Sequence, residues 1–164
     1  MQIDIDIADA RWGAALDLEA ISAVALNAIC ARLKIDADES EVSVLACDDV
    51  RIKELNADFR EKDKATNVLS WPALERGADE GCSPDVPQPD VFGSIELGDI
   101  AISYDTCDLE AREAGKPFEH HVTHLIVHGI LHLLGYDHIS DADAALMEQL
   151  ETELLETLGI PDPY

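Results

Sequence analysis

Basic residues are scarce in this chain: 11 Lys and Arg stand against 35 Asp and Glu in 164 residues, for a formal charge of −24. So acidic a surface repels polyanions, and by itself it speaks against a broad nucleic-acid-binding face. No apolar run approaches the length needed to cross a bilayer, and the opening MQIDIDIADA has neither the basic start nor the apolar stretch of a signal peptide. A cytoplasmic protein without membrane contact is therefore expected. The four cysteines, Cys30, Cys47, Cys82 and Cys107, form no CxxC pair, which argues against a zinc knuckle and a disulfide framework and predicts free thiols. There is no internal repeat and no sign of a second domain. The hydrophobic fraction of 47% is enough to build one core, so a single domain over residues 1–164 is expected.

The few cations are unevenly placed. Arg51, Lys53, Arg60, Lys62 and Lys64, five of the 11, fall within one fourteen-residue segment. They form either a local cationic patch in an acidic field or an ordinary solvated helix and loop; composition does not choose between the two.

Hydrophobic periodicity predicts the elements. Ile3, Ile5 and Ile7 alternate with polar residues as a half-buried strand, and Leu16 to Leu33 follows as a helix with Leu18, Ile21, Ala25 and Ile29 on its apolar face. A strand over Val42–Cys47 leads to a helix over Asp49–Phe59, capped by Asp48 or Asp49. Thr66–Trp71 reads as a third strand, stopped by Pro72. The Pro-, Gly- and acid-rich stretch from Ala73 to Asp90 reads as a mobile loop. Gly93–Tyr104 alternates again, with Gly98-Asp99 marking a bulge or kink. Helices over Asp105–Ala114 and Phe118–Leu134 follow, then a final helix that Ser140 caps, with Asp143 completing a shortened capping box and Met147, Leu150, Leu154 and Leu158 as its buried stripe. Strands interleaved with helices, then helices alone, predict an α+β architecture: a small mixed sheet of about four strands packed with about five helices, the Phe118–Leu134 helix at the centre.

That central helix carries the chemistry. His128-Gly129-Ile130-Leu131-His132-Leu133-Leu134-Gly135-Tyr136-Asp137-His138 sets three imidazoles at the spacing HxxxHxxxxxH inside an apolar stretch. Residues four apart on a helix share a face, so His128 and His132 reach one metal ion together. Gly135 permits the left-handed turn that ends the helix and brings His138 back toward them. Three neutral imidazoles leave zinc's fourth tetrahedral position to water, the arrangement of a catalytic rather than a closed structural site. A single buried histidine is more often a hydrogen-bonded core residue, but three in one short segment would each need a separate partner.

With Gly135 in place, the spacing resembles the metzincin protease pattern HExxHxxGxxH at every position but one. Gly129 stands where those proteases hold their glutamate general base, so a peptidase on this scaffold would need a base from elsewhere. Hydrolysis of another bond type stays open, because a bound metal still activates water and stabilises an oxyanion. The string HGILHLLGYDH itself closely resembles the signature of the YbeY family of bacterial endoribonucleases. Leu55-Asn56, Phe59-Arg60, Thr66-Asn67-Val68-Leu69-Ser70-Trp71-Pro72 and Leu97-Gly98-Asp99-Ile100-Ala101-Ile102-Ser103 resemble further landmarks of that family, in the same order, over residues 55 to 138.

The resemblance implies a zinc-dependent, single-strand-specific endoribonuclease acting in 16S rRNA 3′-end maturation and ribosome quality control. It implies His128, His132 and His138 as ligands of one zinc ion and Arg60 as a functionally important arginine. Two positions depart from the family's usual pattern: Asn67 replaces an aspartate and Trp71 a phenylalanine. Arg60 suits the chemistry, since a guanidinium donates bidentately to phosphoryl oxygens and stays cationic at any working pH. His124, one turn before His128, is either a proton donor or a residue lining the cleft; His120 and His121 are expected in solvent. Two other readings compete. One is a non-catalytic, zinc-stabilised assembly factor whose acidic surface binds basic ribosomal proteins or ribosome-associated factors; the other, on the metzincin spacing alone, is a metallopeptidase. The two ribosomal readings are compatible, the acidic surface docking a partner while a small cationic cleft cuts single-stranded or ribosomal RNA. Oligomeric state is not legible.

Overall fold

The computed structural model describes residues 1–164. Its elements in chain order are β1 (Gln2–Ile7), α1 (Ala10–Ala15), α2 (Leu18–Leu33), β2 (Ser40–Cys47), α3 (Asp49–Arg60), β3 (Val68–Pro72), β4 (Ile95–Ser103), α4 (Tyr104–Ala114), α5 (Phe118–Leu133) and α6 (Asp141–Thr157). The strands form one sheet in the order β1-β2-β4-β3. Strands β1, β2 and β4 run parallel, and β3 closes one edge antiparallel to β4. This is the α+β arrangement that the sequence predicts, with six helices instead of five.

The additional helix is α1. Asp9 caps it by accepting from the Arg11 amide, and Asp17 then caps α2 by accepting from the Ala20 amide. The single helix expected from Leu16 is thus preceded by a separate short one. Only one residue of α1, Trp12, is buried, too few to create a periodic signal. Trp12 nonetheless anchors that corner: its indole N–H donates to the Cys47 carbonyl at 2.9 Å, and its ring packs on Tyr104 and Phe118 at centroid distances of 5.4 and 5.7 Å. In β1, Ile3 and Ile5 are half-buried as expected, but Ile7 is 42% exposed.

Alternation within the strands divides the sheet into two faces. Val42, Val44, Ala46, Ile95, Leu97, Ile100 and Ile102 face a core of 29 buried residues shared with α2, α4, α5 and α6. On the opposite face Cys47 and Ala101 pack with Ile52 and Leu55 of α3 in a smaller cluster. The pairing slips between Glu41 and Val42, whose partners are Glu96 and Gly98, so Leu97 is the extra residue of a bulge where the glycine suggested one.

Helix α5 lies in the middle of the larger core, with Val122, Ile126, Val127, Ile130, Leu131 and Leu133 all fully buried. Each such side chain stabilises the fold by about 1.5–3 kcal/mol relative to exposure, which fixes the helix and whatever its other face carries. Helix α6 begins at Ser140, whose hydroxyl accepts from the Asp143 amide at 3.1 Å. The reciprocal half of the expected capping box is absent: the Asp143 carboxylate accepts instead from the Gly81 amide of the long loop, at 2.8 Å. Leu158 lies just past the end of α6, half-buried, and the buried face is completed by Glu151 and Leu155.

Candidate metal centre

The last two turns of α5 place His128 and His132 one turn apart, with their Nε2 atoms 3.1 Å from each other. Helix α5 ends at Leu133, the Leu134 amide making its last i→i−4 bond to the Ile130 carbonyl at 3.1 Å. The Gly135 and Tyr136 amides then donate to the carbonyls of His132 and Leu131, and Gly135 adopts φ 103°. A Cβ on Gly135 would stand 2.3 Å from the Arg76 carbonyl oxygen, so only glycine passes here. Beyond this turn His138 folds back, its ring stacked on His128 at 5.3 Å and 4.9 Å from that of His132. One nitrogen from each of the three lies within 4.8 Å of the others.

The donor set fits a zinc-sized cation. Two nitrogens bound to one tetrahedral zinc stand about 3.3 Å apart, close to the separation of the first pair, and a triad of imidazoles carries no charge until protonated. Burial, reinforced by the neighbouring His128 and His138, holds the His132 imidazole down at about 4, so it is neutral near pH 7 and its lone pair is available.

Behind the triad stands Glu151 of α6, fully buried. One carboxylate oxygen, Oε1, accepts from His128 Nδ1; the other, Oε2, faces His124 Nε2 at 3.1 Å and accepts from the Tyr164 hydroxyl. Burial alone would push this carboxyl up. Hydrogen bonds from His124, His128 and Tyr164 outweigh that and hold it at about 2. A carboxylate on Nδ1 fixes the His128 tautomer with the proton on that side, leaving Nε2 to face His132.

Gly129 points away from this cluster. A Cβ there would lie 3.0 Å from Ile100 Cδ1 and 3.3 Å from Ser70 Oγ, so the position packs against the sheet. The Ser70 hydroxyl donates to the Gly129 carbonyl at 3.3 Å, and Arg60 Nη2 donates to the Ser70 carbonyl at 2.6 Å. Arg60 is thereby tethered to the strand that supports α5 beside His128. The rest of its exposed guanidinium has no hydrogen bond within the protein, and no ion pair joins it to a carboxylate or to the triad. Among the neighbouring cations, Arg51 pairs with Glu54 at 3.2 Å and Lys53 reaches Asp63 at 3.9 Å, as on a solvated helix, whereas Lys62 and Lys64 are exposed and unpaired.

Other expectations change. His121 is not in solvent: its side chain is 12% exposed and Nε2 meets Glu110 at 3.1 Å, while His120 is half-buried. Glu110 also accepts from Asn67 Nδ2 at 3.0 Å. An aspartate at this position would set two like charges against each other, and the amide supplies the missing donor.

Sequence reasoning passed over Glu151, Tyr164 and Arg76. Glu151 carried a signal, since it lies four residues after Met147 and three before Leu154 and therefore on the apolar stripe. Arg76, in the loop that was given no role, donates to the carbonyls of Leu133, Leu97 and Glu96 at 3.0, 3.3 and 2.9 Å. It ties the loop to the end of α5 and to β4.

Known proteins resemble this chain over nearly its whole length. A family model described as "Endoribonuclease YbeY" matches residues 6–159. A Ruegeria pomeroyi protein named "Endoribonuclease YbeY" is 54% identical over 100% of this chain and 98% of its own length. Its namesake in Paracoccus denitrificans is 55% identical over 99% of this chain and 89% of its own. Among solved structures, a Thermotoga maritima protein determined in solution superimposes with a TM-score of 0.60 at 25% identity, covering 94% of this chain and 87% of that one.

Proposed function

Since the chain belongs to the endoribonuclease YbeY family, we propose that it cleaves single-stranded RNA at the His128, His132 and His138 centre with zinc as the ion, in the cytoplasm, where it matures the 3′ end of 16S rRNA and serves ribosome quality control. The observation that carries this reading is the convergence of three imidazole nitrogens backed by one buried carboxylate, with Gly129 turned into the sheet. Zinc held there would lower the pKa of a water toward about 7 and polarise a phosphoryl oxygen.

The chain's own residues do the rest. The triad would hold the ion. Arg60, fastened by Nη2 to Ser70, presents its remaining N–H groups to the phosphoryl oxygens as charge develops on them. Lys62 and Lys64, exposed just after Arg60 in the chain, add cationic charge there. Of the two roles open to His124, the pairing of its Nε2 with Glu151 supports the lining role over proton delivery to a leaving group. A peptidase gains little support, because position 129 faces Ile100 and Ser70 and cannot offer a base to a metal-bound water.

Cleavage of a single-stranded ribosomal RNA fragment by wild type and Arg60→Ala, both shown to carry equal zinc, tests the proposal. Activity that collapses in the variant supports it; equal traces in both indicate contamination and overturn it.

One observation favours an additional docking role. On the face of the sheet away from α5, a groove of about 600 Å³ is lined by Asp4, Asp6 and Asp99 together with Phe59 and Trp71. A largely apolar groove that also carries three carboxylates suits a basic segment with apolar side chains on a ribosomal protein. Binding of such proteins that is unchanged in Arg60→Ala but lost on charge reversal at Asp4 and Asp6 would separate docking from cleavage.

A further inference from the structure

We propose that Tyr164 and Glu151 act as a positioning pair that sets how tightly the triad holds its metal. The inference rests on the reading of His128, His132 and His138 as a metal centre and extends it to residues outside the ligand set. Both carboxylate oxygens of Glu151 are committed: Oε1 to His128 Nδ1, Oε2 to His124 and the Tyr164 hydroxyl. With the carboxylate free to rotate, His128 could exchange tautomers and present Nδ1 or a proton to the ion. With Oε2 pinned, Oε1 stays on Nδ1 and Nε2 stays free.

Tyr164 is preorganised for this task. Its backbone amide donates to Asp162 Oδ1 at 2.9 Å, Lys116 Nζ donates to the preceding carbonyl of Pro163 at 3.3 Å, and the Ile160 amide donates to Leu155 at 2.9 Å. The segment from Ile160 to Tyr164 thus lies as a strap between the start of α5 and the end of α6. Although Tyr164 is 60% exposed as a residue, its ring meets the His124 ring edge-on at 5.6 Å with the hydroxyl turned toward Glu151. Burial beside that carboxylate pushes the phenol's pKa up, so it remains a donor. A group that donates to a buried carboxylate from an exposed ring contributes little to the core, and its placement is better explained by the histidine it steadies.

The test is zinc affinity, measured by competition with a chromophoric chelator, alongside the visible absorption of the cobalt(II) form. Variants are Glu151→Gln, Tyr164→Phe, the double variant and His132→Ala. Glu151→Gln is expected to weaken zinc about 10–100-fold, the usual effect of removing a carboxylate behind a ligating histidine. Tyr164→Phe should weaken it by less, about tenfold at most, and should add nothing in the Glu151→Gln background, because it acts only through that carboxylate. Unchanged affinity in Glu151→Gln, or equal losses from Tyr164→Phe in both backgrounds, overturns the pair. Thermal unfolding of the metal-free forms separates a structural role: a lowered midpoint with unchanged zinc affinity also overturns it. If Glu151→Gln does not fold, Tyr164→Phe decides alone, and unaltered affinity together with an unaltered cobalt spectrum sinks the inference. The underlying metal reading fails separately, if wild type binds no zinc that His132→Ala abolishes.

Discussion

Arg60 and Ser70 are joined by a 2.6 Å hydrogen bond from guanidinium to carbonyl, and the hydroxyl of the same serine reaches Gly129, the residue after His128. The arginine is therefore set in place by the strand that also seats α5, without a hydrogen bond to the triad. Because a lysine cannot hold the carbonyl and present a planar fork together, Arg60→Lys is expected to lose most of the activity that Arg60→Ala loses. The expected loss is about a hundredfold or more in kcat/KM on single-stranded RNA, with zinc content and unfolding temperature nearly unchanged. Full activity in the lysine variant would show that only charge matters at this position.

Gly129 yields a second prediction, with the opposite balance between stability and chemistry. Restoring the protease-like glutamate, Gly129→Glu, would drive a carboxylate against Ile100 and Ser70 with no partner. The cost of burying such a charge, together with overpacking, is expected to exceed about 3 kcal/mol. Thermal unfolding should show a large drop, and incubation with an unfolded protein should show no peptide cleavage. A stable variant that cuts peptides would mean that the position faces the metal after all.

What the sequence disclosed and withheld follows from the range of the interactions involved. The triad was legible because its spacing is local: i,i+4 on one helix, then a glycine turn. Helix α2 and strands β2 and β4 were legible because burial imposes their periodicity. Helix α1 was not, since a six-residue helix with Trp12 as its sole buried residue has no period to read. Glu151 and Tyr164 meet His128 and His124 only through tertiary packing, across separations of 23 and 40 residues. The partner of Asn67 is likewise set by α4 lying beside the residue that precedes β3, which no local pattern announces. The Pro-rich loop read correctly as irregular, but Arg76 could not be seen to pin it, because its partners are backbone carbonyls and those carry no sequence signal.

Arg76 accordingly makes a third prediction. Its guanidinium supplies donors to three carbonyls at the end of α5 and on β4, and its own carbonyl lies against Gly135. Arg76→Ala is expected to lower stability by about 1.5–3 kcal/mol through those lost charge-assisted bonds. By loosening the Gly135 turn that returns His138, it should also weaken zinc binding. Denaturant unfolding and chelator competition check the two effects. Lost stability with unchanged zinc affinity would confine Arg76 to scaffolding.

The acid side of the stability curve has an assignable contributor. Hydrogen bonds from Arg11 hold the carboxyls of Asp9 and Asp105 below their ordinary range. A depressed carboxyl contributes stability above its unfolded pKa of about 4 and loses that contribution as pH falls through the lower folded value. Wild type should therefore be more stable than Arg11→Ala at neutral pH, with the difference shrinking below about pH 4. The effect should be small, because the two carboxylates are only partly buried, their Arg11 partner is exposed and salt screens the pairs. Melting temperatures across pH 2 to about 7 at low salt are the measurement; a gap that widens toward acid would contradict the assignment.

The thiols give the last prediction. Cys30, Cys47 and Cys107 are buried and Cys82 is exposed in the long loop. Burial pushes the Cys47 thiol up to about 12, and the Cys30 and Cys107 thiols are raised for the same reason. The thiolate is the reactive form, so access and ionisation disfavour the same three residues. A colorimetric disulfide reagent at pH 8 should titrate one thiol rapidly in the folded protein and all four in denaturant, with Cys82→Ser abolishing the rapid phase. Since Cys107 packs against the start of β3, its Sγ donating to the Asn67 carbonyl, and Cys47 donates to Ile102, their slow modification should proceed only as fast as the sheet opens. Rapid reaction of Cys47 in the folded protein would mean that the sheet face beneath α3 is far looser than its packing of Cys47, Ile52 and Ala101 indicates, and rapid reaction of Cys30 or Cys107 would mean the same of the larger core.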